Sequence, residues 1–98
     1  MIFLCEFLNS GIGCKTTIAG QEYMGNLSTS IDGERCQPWS SQSPNSHTFT
    51  DSDFPDGSVI EASNYCRNPD NDYRGPWCHS SKKDSIDYCY IPCCECKL

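Results

Sequence analysis

Apolar residues in this chain do not recur with a helical period, and no stretch of ten or more residues carries the 3.6-residue repeat of an amphipathic helix. Little helix is expected. The apolar and aromatic positions fall instead in short clusters separated by turn formers. These are Asn26, Asp32-Gly33, Ser43-Pro44-Asn45, Phe54-Pro55-Asp56-Gly57, Asn68-Pro69-Asp70 and Arg74-Gly75-Pro76, residues whose φ preferences or side-chain hydrogen bonds to backbone close turns. Two clusters are rich enough in aromatic and β-branched residues to predict short antiparallel strands, 76–80 and 86–91, joined by an exposed connection at 81–85. No internal repeat is visible. The pattern predicts a loop-rich disc with short strands.

Composition explains how such a fold could hold. A chain of 98 residues with 37% apolar content has room for one domain and a modest core, burying roughly 60–65% of its extended surface. Nine cysteines at this length indicate a disulfide scaffold formed in an oxidising compartment. Because nine is odd, at least one thiol stays free, pairs with another chain or takes a metal. No run approaches the ~18 consecutive apolar residues that cross a bilayer. The apolar start, Met1 to Leu8, lacks the basic n-region and length of a full secretory signal, and reads as an ordinary N-terminal segment or a truncated leader. A formal charge of −6 removes the electrostatic footprint of a nucleic-acid or anionic-membrane binder and favours cationic or amine-bearing partners.

Six cysteines, Cys14, Cys36, Cys66, Cys78, Cys89 and Cys94, sit in a frame of aromatic, Gly and Pro residues. The segments Glu22-Tyr23-Met24-Gly25, Gly33-Glu34-Arg35-Cys36-Gln37-Pro38-Trp39, Asn64-Tyr65-Cys66-Arg67-Asn68-Pro69-Asp70, Gly75-Pro76-Trp77-Cys78 and Asp87-Tyr88-Cys89-Tyr90-Ile91-Pro92 follow in order. Order and spacing resemble a kringle domain from Cys14 to Cys94. The expected organisation is an N-terminal arm (1–13), the kringle (14–94) and a C-terminal tail (95–98). Six cysteines allow fifteen pairings, and spacing alone does not choose among them. The resemblance implies Cys14 with Cys94, Cys36 with Cys78, and Cys66 with Cys89. It leaves Cys5, Cys93 and Cys96 as extra cysteines: a fourth bridge from Cys5 to Cys96 or Cys93 would join the arms, and the remaining thiol could link a disulfide-bonded dimer.

The ligand best known for this family is a lysine side chain or another zwitterion with amine and carboxylate at opposite ends. Binding it takes paired carboxylates for the ammonium, an aromatic trough for the methylenes and a cation for the carboxylate. Asp70 and Asp72 match the family's anionic pair and Trp77 one wall of its trough, although the same aspartates also suit solvated turn positions and the same Trp suits a core. His79 stands where lysine-binding members generally have Tyr, and Ile86 where many have an aromatic. Ser85 occupies the position of the usual Arg, and Thr48 that of another basic contributor, so the resemblance implies a weakened site. Lys82 or Lys83 is the available substitute, against their simpler role as solvated loop residues. Such a half-site would prefer an internal lysine of a protein partner over a C-terminal one.

The loop from Cys36 to Thr50 is further similar to the kringle of ROR-type receptor tyrosine kinases, where the domain is an extracellular interaction or spacer module. Trp39 and Phe49 are expected in the core and His47 as a hydrogen-bonded structural histidine. A zinc site from Cys89, Cys93, Cys94, Cys96 and His79 is disfavoured, since adjacent cysteines do not easily reach one tetrahedral ion and paired CxxC knuckles are absent. No cofactor is expected. No Ser lies in a nucleophile frame, and His47 and His79 are the only neutral-pH bases, so no enzyme is expected. Asn26-Leu27-Ser28 is an N-glycosylation sequon. The expectation is an extracellular, non-catalytic protein-binding module. The alternatives are a structural spacer without a small-ligand site, the docking kringle of a protease zymogen, or a freestanding peptide that dimerises.

Overall fold

The two aromatic and β-branched clusters pair as the pattern requires. In the computed structural model, which describes residues 13–97, β2 (Trp77–Cys78) and β3 (Asp87–Tyr88) form an antiparallel ladder, Trp77 opposite Tyr88 and Cys78 opposite Asp87. The strands are shorter than the expected spans because their neighbours hydrogen-bond elsewhere. Ser80 bridges to Cys36 and gives its N–H to the Ser85 hydroxyl, 2.7 Å away. Beyond the strands, the regular structure of the described residues includes a single-turn 3-10 helix at Asp51–Asp53.

A second sheet was not legible in the pattern. β1 (Lys15–Thr17) runs parallel to β4 (Cys93–Lys97), supported by the Lys15 N–H donating to the Pro92 carbonyl at 2.9 Å. The Cys14–Cys94 bridge sets its two Cα atoms 5.4 Å apart and so lays the two ends of the domain side by side. β4 continues beyond Cys94 into the segment read as a tail. Close passage at this edge explains Gly20, whose φ of +67° is the left-handed region that favours glycine. A Cβ there would stand 2.9 Å from Lys15 Cδ and 3.2 Å from Pro76 Cδ.

Cys36 is bridged to Cys78 and Cys66 to Cys89, so all three pairings match those the resemblance implied. The inner bridges interleave and touch, with Cys36 Sγ 3.9 Å from Cys66 Sγ. In the loop-entropy account each bridge stabilises the fold by about 3–5 kcal/mol. Cys93 is also disulfide-bonded. Cys5 lies outside the described residues, and Cys96 is described only as part of β4.

Around this sulfur centre pack Tyr23, Trp39, Phe54, Ala62, Trp77 and Ile91, with Phe49 half-buried against them. Trp39 is the hub: its ring centroid lies 5.1 Å from Phe54 and 5.3 Å from Trp77, and its indole N–H donates to the Tyr65 carbonyl at 2.7 Å. His47 is structural. Its Nδ1 accepts the Phe49 N–H at 3.0 Å, which makes Nε2 the donor to the Trp39 carbonyl at 2.6 Å. Among the described residues, no helix is long and apolar enough to cross a membrane.

Candidate functional site

The turn that presents the two aspartates is built by Asn68, which is wholly buried. Its Nδ2 donates to the Ala19 carbonyl (2.7 Å) and the Asp72 carbonyl (2.8 Å), and its Oδ1 accepts the Asp72 N–H (2.8 Å). Asn71 then adopts a φ of +53°, which Asn tolerates better than most residues. The turn gives the two carboxylates different partners.

Asp70 is exposed, and its Oδ1 accepts the Trp77 indole N–H at 2.9 Å. Among the described residues it has no cationic partner. Asp72 is already engaged: it accepts the Tyr88 hydroxyl, the Arg74 backbone N–H at 2.9 Å, and the Arg74 guanidinium at 3.1 and 3.2 Å. These bonds, that from Tyr88 first, hold its carboxyl down at about 2. Burial first, and then the bond to Asp72, push the Tyr88 phenol up to about 12. The Arg74 guanidinium lies 4.9 Å from the Tyr88 ring centroid and 5.4 Å from that of Tyr73, giving Asp72 an internal cation stacked between aromatics.

Trp77 is only 2% exposed. Its ring is enclosed by Trp39, Phe49 and His79, whose centroid is 5.1 Å away. What it offers the site is the N–H that aims Asp70. Trp77 and Tyr88 stand opposite each other on the β2–β3 ladder and so share a face, while His79 and Ile86 lie just past its ends, two residues from Trp77 and Tyr88. Ile86 is 55% exposed. His79 is half-buried, and its Nδ1 is bonded to the Ser85 carbonyl.

Where the resemblance would place a cation, the structure holds a packed polar loop. Ser85 gives its N–H to Asn45 Oδ1 (3.1 Å), its hydroxyl accepts the Ser80 N–H, and its carbonyl serves His79. Asn45, 4% exposed, also donates to the Ser80 and Lys82 carbonyls at 3.0 and 2.8 Å. Lys82 reaches Glu34 at 3.5 Å, Lys83 is exposed, and Thr48 is exposed in its own loop. An open hollow of about 530 Å³ adjoins the turn at Asn71, lined also by Thr17, Glu22 and Phe54. Its Glu22 carboxylate is occupied by the Thr16 N–H (2.7 Å) and the Thr17 hydroxyl (2.6 Å).

Sequence reasoning missed the polar residues that support this site. Arg67, 1% exposed, forms two bonds with Asp56 (2.8 and 2.9 Å), donates to the Gly25 and Cys66 carbonyls, and stacks near Tyr23 and Tyr65. Gln37 Oε1 accepts the Asn45 N–H at 3.0 Å. The available signal was a charged or amide residue directly beside a bridging cysteine, at Gln37 after Cys36 and Arg67 after Cys66. The four sulfurs of Cys36, Cys66, Cys78 and Cys89 lie within 4.8 Å of one another. They are consumed in two disulfides and present no thiolate set for a metal.

Kringles are typically extracellular, non-catalytic domains that bind proteins and other ligands. A model of the kringle domain matches residues 14–94, bounded by the same outer cysteines that the structure bridges, and with the pairing, the Trp-centred core and the short strands agreeing, the chain belongs to the kringle family.

Proposed function

We propose that this kringle is a non-catalytic protein-binding module whose contact is an amine half-site centred on Asp70. The observation that carries the reading is an exposed carboxylate, aimed by the Trp77 indole N–H and without a cationic partner among the described residues. A lysine ammonium from a partner would form charge-assisted hydrogen bonds there. Its methylenes would run along Ile86 and the edge of His79, an apolar contact with less cation–π character than a pair of aromatic walls. Asp72 and Trp77 act as positioning residues, the first by holding the turn to Tyr88 and Arg74, the second by orienting Asp70.

Among the described residues, neither position expected to supply a cation for a ligand carboxylate is free to do so, since Ser85 is bound into the loop and Lys82 faces Glu34. The module therefore favours an internal lysine over a C-terminal one, in the extracellular setting that its disulfides suit. The formal charge of −6 adds attraction for a basic partner surface. A second reading, a spacer without a ligand site, is favoured by the way Arg74 already neutralises Asp72.

The two readings part on an alkylamine-bearing resin. Wild-type protein is retained and eluted by free n-butylamine, while Asp70→Asn, which keeps an acceptor for Trp77, passes through with an unchanged near-UV spectrum. Equal retention of the two proteins would contradict the proposal, and no retention of either would support the spacer.

A further inference from the structure

We propose that Asn26 is an N-glycosylation site, so that the protein carries an oligosaccharide on the segment between Tyr23 and Cys36. Asn26-Leu27-Ser28 has the required hydroxyl residue two positions on, and its middle residue is not Pro. The motif alone is weak; the geometry distinguishes this asparagine from the others in the described residues. Asn45 and Asn68 are buried with their amides fully engaged, and Asn64 Nδ2 donates to the Cys36 carbonyl at 3.2 Å. Asn71 is exposed but is followed two residues later by Tyr73. Asn26 combines the sequon, an exposed side chain and no hydrogen-bond partner for its amide among the described residues.

The backbone around it explains why the side chain points outward. The Gly25 carbonyl accepts Arg67 Nη1 at 2.7 Å, the Leu27 N–H donates to the Tyr23 hydroxyl at 3.3 Å, and the Leu27 carbonyl accepts the Cys66 N–H at 2.8 Å. Leu27 packs half-buried against the core, which turns Asn26 to solvent. A glycan there is compatible with every contact that holds the segment. In the transfer, Asn26 Nδ2 forms a bond to C1 of an oligosaccharide supplied as its lipid pyrophosphate. The C1–O bond to the pyrophosphate breaks, and the amide proton leaves with the lipid pyrophosphate.

The full chain, sent into the secretory pathway of a eukaryotic cell behind a heterologous signal peptide, tests this. Secreted wild type should run above its peptide mass and drop to it after peptide N-glycosidase in heavy-oxygen water, with Asn26 converted to labelled Asp. Asn26→Gln and Ser28→Ala should each be secreted without the shift, and Thr29→Ala should keep it. A peptide map of secreted, fully oxidised wild type showing unmodified Asn26 would overturn the proposal, as would a shift that persists in Asn26→Gln.

Discussion

Two arginine–aspartate pairs lie close together in this chain and do opposite work. Arg67 is buried against Asp56, stacked near two tyrosines and bonded to two carbonyls. Arg74 lies on the surface, 57% exposed, against an Asp72 that is 10% exposed. Removing one partner of a buried pair leaves a charge in low dielectric, whereas an exposed pair exchanges water for its partner at little net gain. The first pair therefore belongs to the fold. The second sets the charge of a surface, leaving Asp70 as the aspartate of the turn that is open to an external cation.

Breaking the buried pair should have the largest effect. Arg67→Ala should cost about 3–5 kcal/mol, read as a lower denaturation midpoint at unchanged slope, and Asp56→Ala a similar amount. Losses near those of Arg74→Ala would erase the distinction. Asp70→Asn should next abolish alkylamine binding while leaving the denaturation midpoint where it is. Arg74→Gln should act in the reverse direction. With its internal cation gone, Asp72 joins Asp70, and affinity for n-butylamine should rise several-fold; an unchanged affinity would show that Asp72 does not face the ligand.

The smallest effect is a pH dependence. The Asp72 carboxyl is held below its ordinary value of 3.8, at about 2, so its contribution to stability is present above pH 4 and lost as pH falls toward 2. The Tyr88 phenol is held neutral beyond its ordinary 10.0, to about 12. Its contribution is present below pH 10 and lost as pH rises toward 12. Tyr88→Phe should flatten the alkaline limb and weaken the acid one.

Much of the fold was legible because kringle identity is carried by cysteines and by residues beside them, so Cys36, Trp39, Cys66, Trp77 and Cys78 declared pairing and core together. The β1–β4 sheet was not legible. Lys15, Thr16 and Thr17 carry no apolar signal, and their pairing follows from a disulfide that closes the chain. The geometry of the candidate site was legible only in part. Asp70, Asp72 and Trp77 were placed in one neighbourhood by motif, but the division of labour between the aspartates depends on Arg74 and Tyr88, which meet Asp72 from different segments. No spacing in the sequence reports that Trp77 would spend its ring on the core and its N–H on Asp70.

The central claim is that Asp70 is an amine half-site without a carboxylate anchor, and a two-dimensional amide NMR titration of oxidised protein addresses it most directly. With n-butylamine and with ε-aminocaproic acid, saturable shifts should appear at Asp70, Asn71, His79 and Ile86, at similar affinity for the two ligands. Much tighter binding of the zwitterion, with shifts at Lys82 or Lys83, or the absence of shifts with both ligands, would contradict it.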